Sequence, residues 1–275
     1  MLQANASCMQ PQDATIICPL NDAESFTILC IAKRLGYESR ISVQNTWLCP
    51  LDREPPHTFI NLKKTAVIIE MPGKEQEDLL RKHHDLLIID HHDYSSLRLH
   101  RDHPESSLQQ FAGLVGHALS RDEMAIAIND QRYIYGLAEA GYSRDEINRV
   151  RRLDLLLQGY TDEDFLVSEK DLRSEEKFKN GVTHYRSSLQ EKFSCLLDLH
   201  VLENDCGRSD VVITGPADAT KGKYIYFSGR IGIVERLKHL GGYSKRSAPQ
   251  YGFWGGFESG IEKVDLAKAM DIIRK

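Results

Sequence analysis

Three short runs of apolar and β-branched residues constrain the first third of this 275-residue chain more than any other feature. They are Ala14-Thr15-Ile16-Ile17-Cys18, Ala66-Val67-Ile68-Ile69 and Leu86-Leu87-Ile88-Ile89. Each is short for a helix and too continuous for a strand with one wet face. Between them lie segments of helical period. Ser25 to Leu35 carries Phe26, Leu29 and Leu35 and stops at Gly36; Glu75 to His83 carries Leu79 and Leu80. Buried strands alternating with helices predict a parallel sheet covered on both faces, because parallel neighbours need a crossover long enough to hold a helix. Arg40 to Val43 is a weaker strand of the same region. The expected fold class is α/β.

The middle of the chain is helical. Ser106 to Leu119 places Leu108, Phe111, Leu114, Val115 and Leu119 on one face, while Met124 to Ile128 suits either a strand or a helix. Ser143-Arg144-Asp145-Glu146 forms a capping box and opens a helix running to Leu157. Thr161 to Lys179 is charge-rich, a solvated helix or connector. Beyond Gly181, Asp210–Thr214, Tyr224–Phe227 and Tyr251–Trp254 suit strands, and Gly232–His239 and Val264–Ile273 suit helices.

Bulk properties exclude several classes. The net charge of −5 does not suit a bulk polyanion binder, and no apolar run approaches the ~20 residues of a membrane helix. The start, MLQANASCMQPQD, lacks a basic stretch followed by an apolar core, so a secretory leader is not expected. Six cysteines without a CxxC pair suit reduced thiols in a cytoplasm.

The chemistry gathers at the strand ends. Cys18 ends the first strand, with Asp22 and Glu24 just beyond. Glu70 ends the Ala66 strand, Asp90-His91-His92 ends the Leu86 strand, and Asn129-Asp130 follows the Met124–Ile128 run. In a parallel sheet these ends share one edge, where open α/β folds place ligands. Carboxylates crowded there repel unless cations neutralise them. A two-metal site needs such a set of carboxylates with an imidazole or two. Singly, each has a plainer reading. Asp22 and Glu24 suit the first turn of a helix, Asn21-x-x-Glu24 matches a capping box, Cys18 suits a small buried side chain, and Asp130 suits a turn.

In motif order and spacing, nearly the whole chain resembles the DHH phosphoesterase superfamily, in the subtype with a C-terminal DHH-associated domain. That group includes family II pyrophosphatases, single-strand exonucleases, oligoribonucleases and cyclic-dinucleotide phosphodiesterases. The family's His-x-x-x-Asp-x-Asp is matched by Cys18-Pro-Leu-Asn-Asp22-Ala-Glu24, its second-motif Asp by Glu70, and its triplet by Asp90-His91-His92. Its fourth-motif Asp is matched by Asp130, and its Gly-Gly-Gly-His loop by Trp254-Gly255-Gly256-Phe257. Cysteine stands for the first histidine, glutamate for two aspartates and phenylalanine for the last histidine. Thiolate and glutamate still ligate cations.

The resemblance implies a parallel-sheet DHH domain over 1–160, a connector over 161–182, and a smaller C-terminal α/β domain over 183–275, with the site in the cleft between domains. It implies Cys18, Asp22, Glu24, Glu70, His91 and Asp130 as ligands of divalent metal, with Glu70 bridging. Manganese is the first candidate, and zinc, cobalt and magnesium are the others. It implies His92 facing the phosphate and Asp90 orienting the histidines. Between Val211 and Phe257, Lys221, Lys223, Arg230, Arg236, Lys238, Lys245 and Arg246 stand against Asp218 and Glu235, an excess of +5, interleaved with Tyr224, Tyr226, Tyr243 and Tyr251. This suits either a phosphate-binding and base-stacking platform using Arg230, Gly255, Gly256 and Phe257, or a solvated basic face. The implied partner is a small phosphorylated molecule or short oligonucleotide, with a homodimer left open. Two functions fit: a metal-dependent phosphoesterase, or a degenerate member that binds nucleotide or phosphate and regulates without turnover.

Overall fold

A computed structural model describes residues 8–44, 49–94, 99–217 and 219–275; Asp218, counted in the charge balance, lies outside them. The described residues divide into two compact units, one of residues up to Tyr142 with Arg152–Gln158, the other of Ser143–Arg151 with Gly159–Lys275. Among them no helix is long and apolar enough to cross a membrane.

The first unit carries strands β1 (Ala14–Cys18), β2 (Glu38–Ile41), β3 (Thr65–Ile69) and β4 (Asp85–Ile89), ordered β2-β1-β3-β4 and all parallel. Helices α1 (Ala23–Arg34) and α2 (Lys74–Leu80) supply the crossovers β1–α1–β2 and β3–α2–β4. The two central strands are the continuous apolar runs: β1 is buried throughout and β3 after its first residue. The Leu86 run differs from expectation. It forms the edge strand, so its burial alternates and Leu87 is exposed. Ile17, Cys49, Leu51, Ile68, Met71 and Leu80 form one buried cluster. A short hairpin of β5 (Asp93–Tyr94) and β6 (Leu99–His100) follows the sheet. Helix α3 (Ser107–Val115) stops earlier than its apolar face suggests, because Gly116 takes a left-handed φ of 69°. Helices α4 (Arg121–Glu139) and α5 (Arg144–Leu157) follow; α5 opens on the expected Ser143/Glu146 box, and its Arg152–Leu157 stretch belongs to the first unit.

The second unit contains α6 (Asp162–Asp171), β7 (Glu176–Lys177), β8 (Thr183–Arg186), α7 (Ser194–Glu203), β9 (Val211–Thr214), β10 (Tyr224–Arg230), α8 (Ile231–Lys238), β11 (Tyr243–Ala248), β12 (Tyr251–Phe257) and α9 (Leu266–Arg274). Its sheet runs β11-β12-β10-β9-β8-β7, parallel only between β8 and β9. Trp254, Phe227, Val234 and Leu237 anchor its core, and the Trp254 indole N–H donates to the Gly241 carbonyl at 2.7 Å.

Two expectations for this half are overturned. Gly255-Gly256 is not a turn open to a phosphate. Both residues lie inside β12, paired with Tyr226 and Ile225 of β10. They are glycines because a Cβ at Gly255 would sit 2.4 Å from the Tyr243 hydroxyl, and one at Gly256 2.5 Å from Val264. Nor are all four tyrosines open to stack a base. Tyr224 and Tyr226 are buried, and Tyr226 stacks on Phe193 at 4.0 Å between centroids. Gly255→Ala is expected to cost about 1–3 kcal/mol through overpacking. Denaturant unfolding of the variant beside the parent checks this; an unchanged midpoint would contradict the packing described.

Candidate metal centre

Each donor arrives on its own element. Glu24 lies in the first turn of α1, where the expected Asn21/Glu24 box is displaced by one residue. Asp22 is the N-cap: its carboxylate accepts the Ser25 N–H at 2.8 Å, and the Ser25 hydroxyl accepts the Asp22 N–H at 3.4 Å. That shift releases Glu24 from capping. Its side chain is 1% exposed, with Oε1 accepting the Leu108 N–H at 3.0 Å.

Glu70 follows β3 with a φ of 50°, in the left-handed region that non-glycine residues seldom occupy. Its N–H donates to the Ile89 carbonyl at 3.0 Å, tying it to the end of β4. Strain of about 1–3 kcal/mol at such a residue persists where the surroundings over-determine it, and it clusters at functional sites. Asp90-His91-His92 follows β4 directly. Asp130 does not end a strand. The Met124–Ile128 run lies within α4, which presents Asp130 shortly before a break at Tyr133 (φ 58°, ψ −161°).

One ligand atom from each of Glu24, Glu70, His91 and Asp130 lies within 4.8 Å of every other. The His91 Nε2 sits 2.5 Å from Asp130 Oδ2, 3.2 Å from Glu70 Oε1 and 3.6 Å from Glu24 Oε2. All four atoms are buried, and none makes a hydrogen bond of acceptable geometry. Buried polar atoms are normally satisfied, so four that lack a hydrogen bond and lie this close together form a group that could hold a cation. Three carboxylates and one imidazole fit a hard or borderline divalent ion.

The electrostatics agree. Burial pushes the Glu24 carboxyl well up, reinforced by Asp130 and Glu70. Burial alone would lower the His91 imidazole, but the three carboxylates beside it push it up to about 12. Burial would likewise raise Asp130, yet His91 holds it below the usual carboxylate range. Without metal, the cluster relies on protons to hold itself together.

His92 stands beside this quartet, ring to ring with His91 at 4.3 Å. Its N–H donates to Asp90 Oδ1 at 3.0 Å, and its Nδ1 lies 3.2 Å from the same oxygen. Burial opposes protonation of His92, but Asp90 and then Glu70 raise its pKa. Arg101, on the return of the β5–β6 hairpin, reaches the other Asp90 oxygen at 3.2 Å and also pairs with Glu77. A cavity of about 480 Å³ adjoins Asp90, lined among others by Glu77, Arg81, Arg101 and Gln110; none of the quartet lines it.

The remaining expected residues fall elsewhere. Cys18 is fully buried, its thiol pointing at the Ser25 carbonyl at 3.8 Å; burial, then Glu70, Asp22 and Glu24, pushes its pKa well up. Asp22 is occupied in capping, and burial with Glu70 and Asp130 pushes its carboxyl up to about 7. In the second unit, Arg230 is paired through its backbone N–H (2.6 Å) and guanidinium with Asp210. Phe257 is buried in β12, with the Lys221 ammonium 4.8 Å from its ring centre.

Two supporting residues escaped the sequence reading. Asp154, from α5, accepts the Ala23 N–H at 3.1 Å and the Asn129 amide at 3.3 Å, tying the start of α1 to the residue before Asp130. Arg101 lies in a basic, histidine-rich stretch that looks like ordinary surface. Neither has a local sequence signal, because each acts across long sequence separations.

No family model matches the chain, and no curated protein matches it. Among solved structures it is similar to PggH from Vibrio cholerae, a pGpG-specific phosphodiesterase. The match has 13% identity over 94% of this chain and 98% of that one, with a TM-score of 0.45. It is also similar to exonuclease RecJ bound to manganese, at 11% identity over 96% of this chain and 89% of that one, with a TM-score of 0.42.

A divalent ion is expected to stabilise the fold by about 2.7 kcal/mol at a hundred times its Kd. Binding must strip the proton from His91, so affinity should rise with pH through the neutral range, with at least one proton released per ion. Calorimetry of manganese binding in buffers of differing ionisation enthalpy checks both. Binding with no proton release would contradict the description of His91.

Proposed function

We propose that this chain is a divalent-metal-dependent phosphoesterase of the DHH type, acting on a small phosphorylated molecule or a short oligonucleotide. The observation that carries the reading is the quartet of buried, unpartnered donor atoms from Glu24, Glu70, His91 and Asp130. The motif order described above supports assigning it to phosphoryl chemistry. Manganese is the first candidate for the ion. A bound divalent ion would neutralise charge on phosphoryl oxygens and acidify water.

The chain's own residues supply the rest. His92, whose pKa Asp90 raises, would donate a hydrogen bond to the phosphate and stabilise charge that develops on its oxygen. Asp90 Oδ1 accepts the His92 backbone N–H and also faces the ring Nδ1, so one oxygen anchors both the backbone and the imidazole and orients the ring toward substrate. The C-terminal unit would hold the substrate, with Arg230 as the phosphate contact expected from the sequence. None of the six cysteines is in a disulfide, which suits a reducing compartment.

A second reading is a nucleotide- or phosphate-sensing module without turnover. It is favoured by Cys18 and Asp22, whose side chains serve helix α1 instead of the donor group.

Hydrolysis of p-nitrophenyl phosphate, bis(p-nitrophenyl) phosphate and a linear dinucleotide, with manganese and with a chelator, tests the proposal. At least one should be cleaved, and the chelator should stop it. His92→Ala is expected to lower turnover by about 10²–10³-fold with manganese affinity retained. His91→Ala should weaken manganese binding itself by at least ~10-fold. Full metal loading without cleavage of any probe would favour the sensing module.

A further inference from the structure

We propose that this centre holds one divalent ion, not two, because Cys18 and Asp22 have been diverted from ligation to holding the start of helix α1. The inference rests on the metal reading above and sharpens it.

The six donors expected from sequence separate cleanly. Four of them, Glu24, Glu70, His91 and Asp130, present buried atoms that make no hydrogen bond and face only one another across the site. The other two are satisfied. The Asp22 carboxylate accepts the Ser25 N–H as the cap of a 12-residue helix, and the Cys18 thiol donates toward the Ser25 carbonyl. Both therefore act on Ser25, the residue after Glu24. They set the angle at which α1 delivers the Glu24 carboxylate.

No independent second site exists among the described residues. The only other group of three donors is Glu70, His91 and His92, which borrows two members of the quartet. Its one new member, His92, already faces Asp90 at 3.2 Å. A second ion would have to share Glu70 and draw on Asp22, whose Oδ1 already serves the helix cap.

The one-ion centre also has a chemical signature. Its donors are three oxygens and one nitrogen, with no sulfur. A preference for soft ions, which a cysteine ligand would confer, is therefore absent.

The full-length chain is titrated with manganese, and bound metal is counted by native mass spectrometry and elemental analysis. One ion per chain is expected, with the electron paramagnetic resonance of an isolated Mn(II) ion. The cobalt-loaded protein should show no thiolate-to-cobalt charge-transfer band. Cys18→Ala should retain the ion with affinity changed by less than ~10-fold, the lower end of what losing a residue that orients a ligand costs. Two ions per chain, exchange-coupled manganese, or a cobalt–thiolate band would overturn the one-ion proposal while leaving the metal reading intact. No bound ion would overturn the metal reading itself.

Discussion

Three carboxylates in one buried place is the constraint to which the rest of the first unit answers. Like charges a few ångströms apart in a low-dielectric pocket repel strongly. Burial and that repulsion push the Glu24 and Asp22 carboxyls up, and, against its burial, the carboxylates push the His91 imidazole up. Holding the groups there also requires backbone that does not relax. The left-handed Glu70, the α4 break at Tyr133 and the Asp154 tie between α1 and α4 each fix one donor's approach. These features are costly in isolation and intelligible together.

A second tier of buried charge supports the first. Glu77, Arg101 and Asp90 form a line that ends on His92. Arg101 pairs with both buried acids, and Asp90 uses its other oxygen to face the histidine ring. The short hairpin after β4 has a plain role here: it returns the chain so that Arg101 reaches the acid at the strand end.

Much of the first unit was legible in the sequence. β-Branched runs flanked by helical periods led to the parallel sheet, and ligands at parallel strand ends converge by topology alone. Asp130 was harder, because a five-residue apolar run suits a strand or a helix equally. Glu24 turned on which neighbour caps α1, a choice decided by Ser25 and invisible to spacing. In the second unit, α7 is buried nearly all round and so shows no polar stripe to mark its period. β11 is a polar edge strand with little hydrophobic alternation. Gly255 and Gly256 look like punctuation, but they clear space for Tyr243 and Val264 across a sheet.

The four donors come from α1, the end of β3, the end of β4 and α4, so consecutive donors are far apart in sequence. An ion held by them is a cross-link among four segments that have no covalent connection nearby. In the unfolded chain those segments rarely meet, since each loop must close before the donors gather. A metal bound there would therefore meet its full donor set only once the sheet and α4 have come together. Its grip would fall on the finished structure, so such an ion would act as a latch that slows unfolding more than it hastens folding.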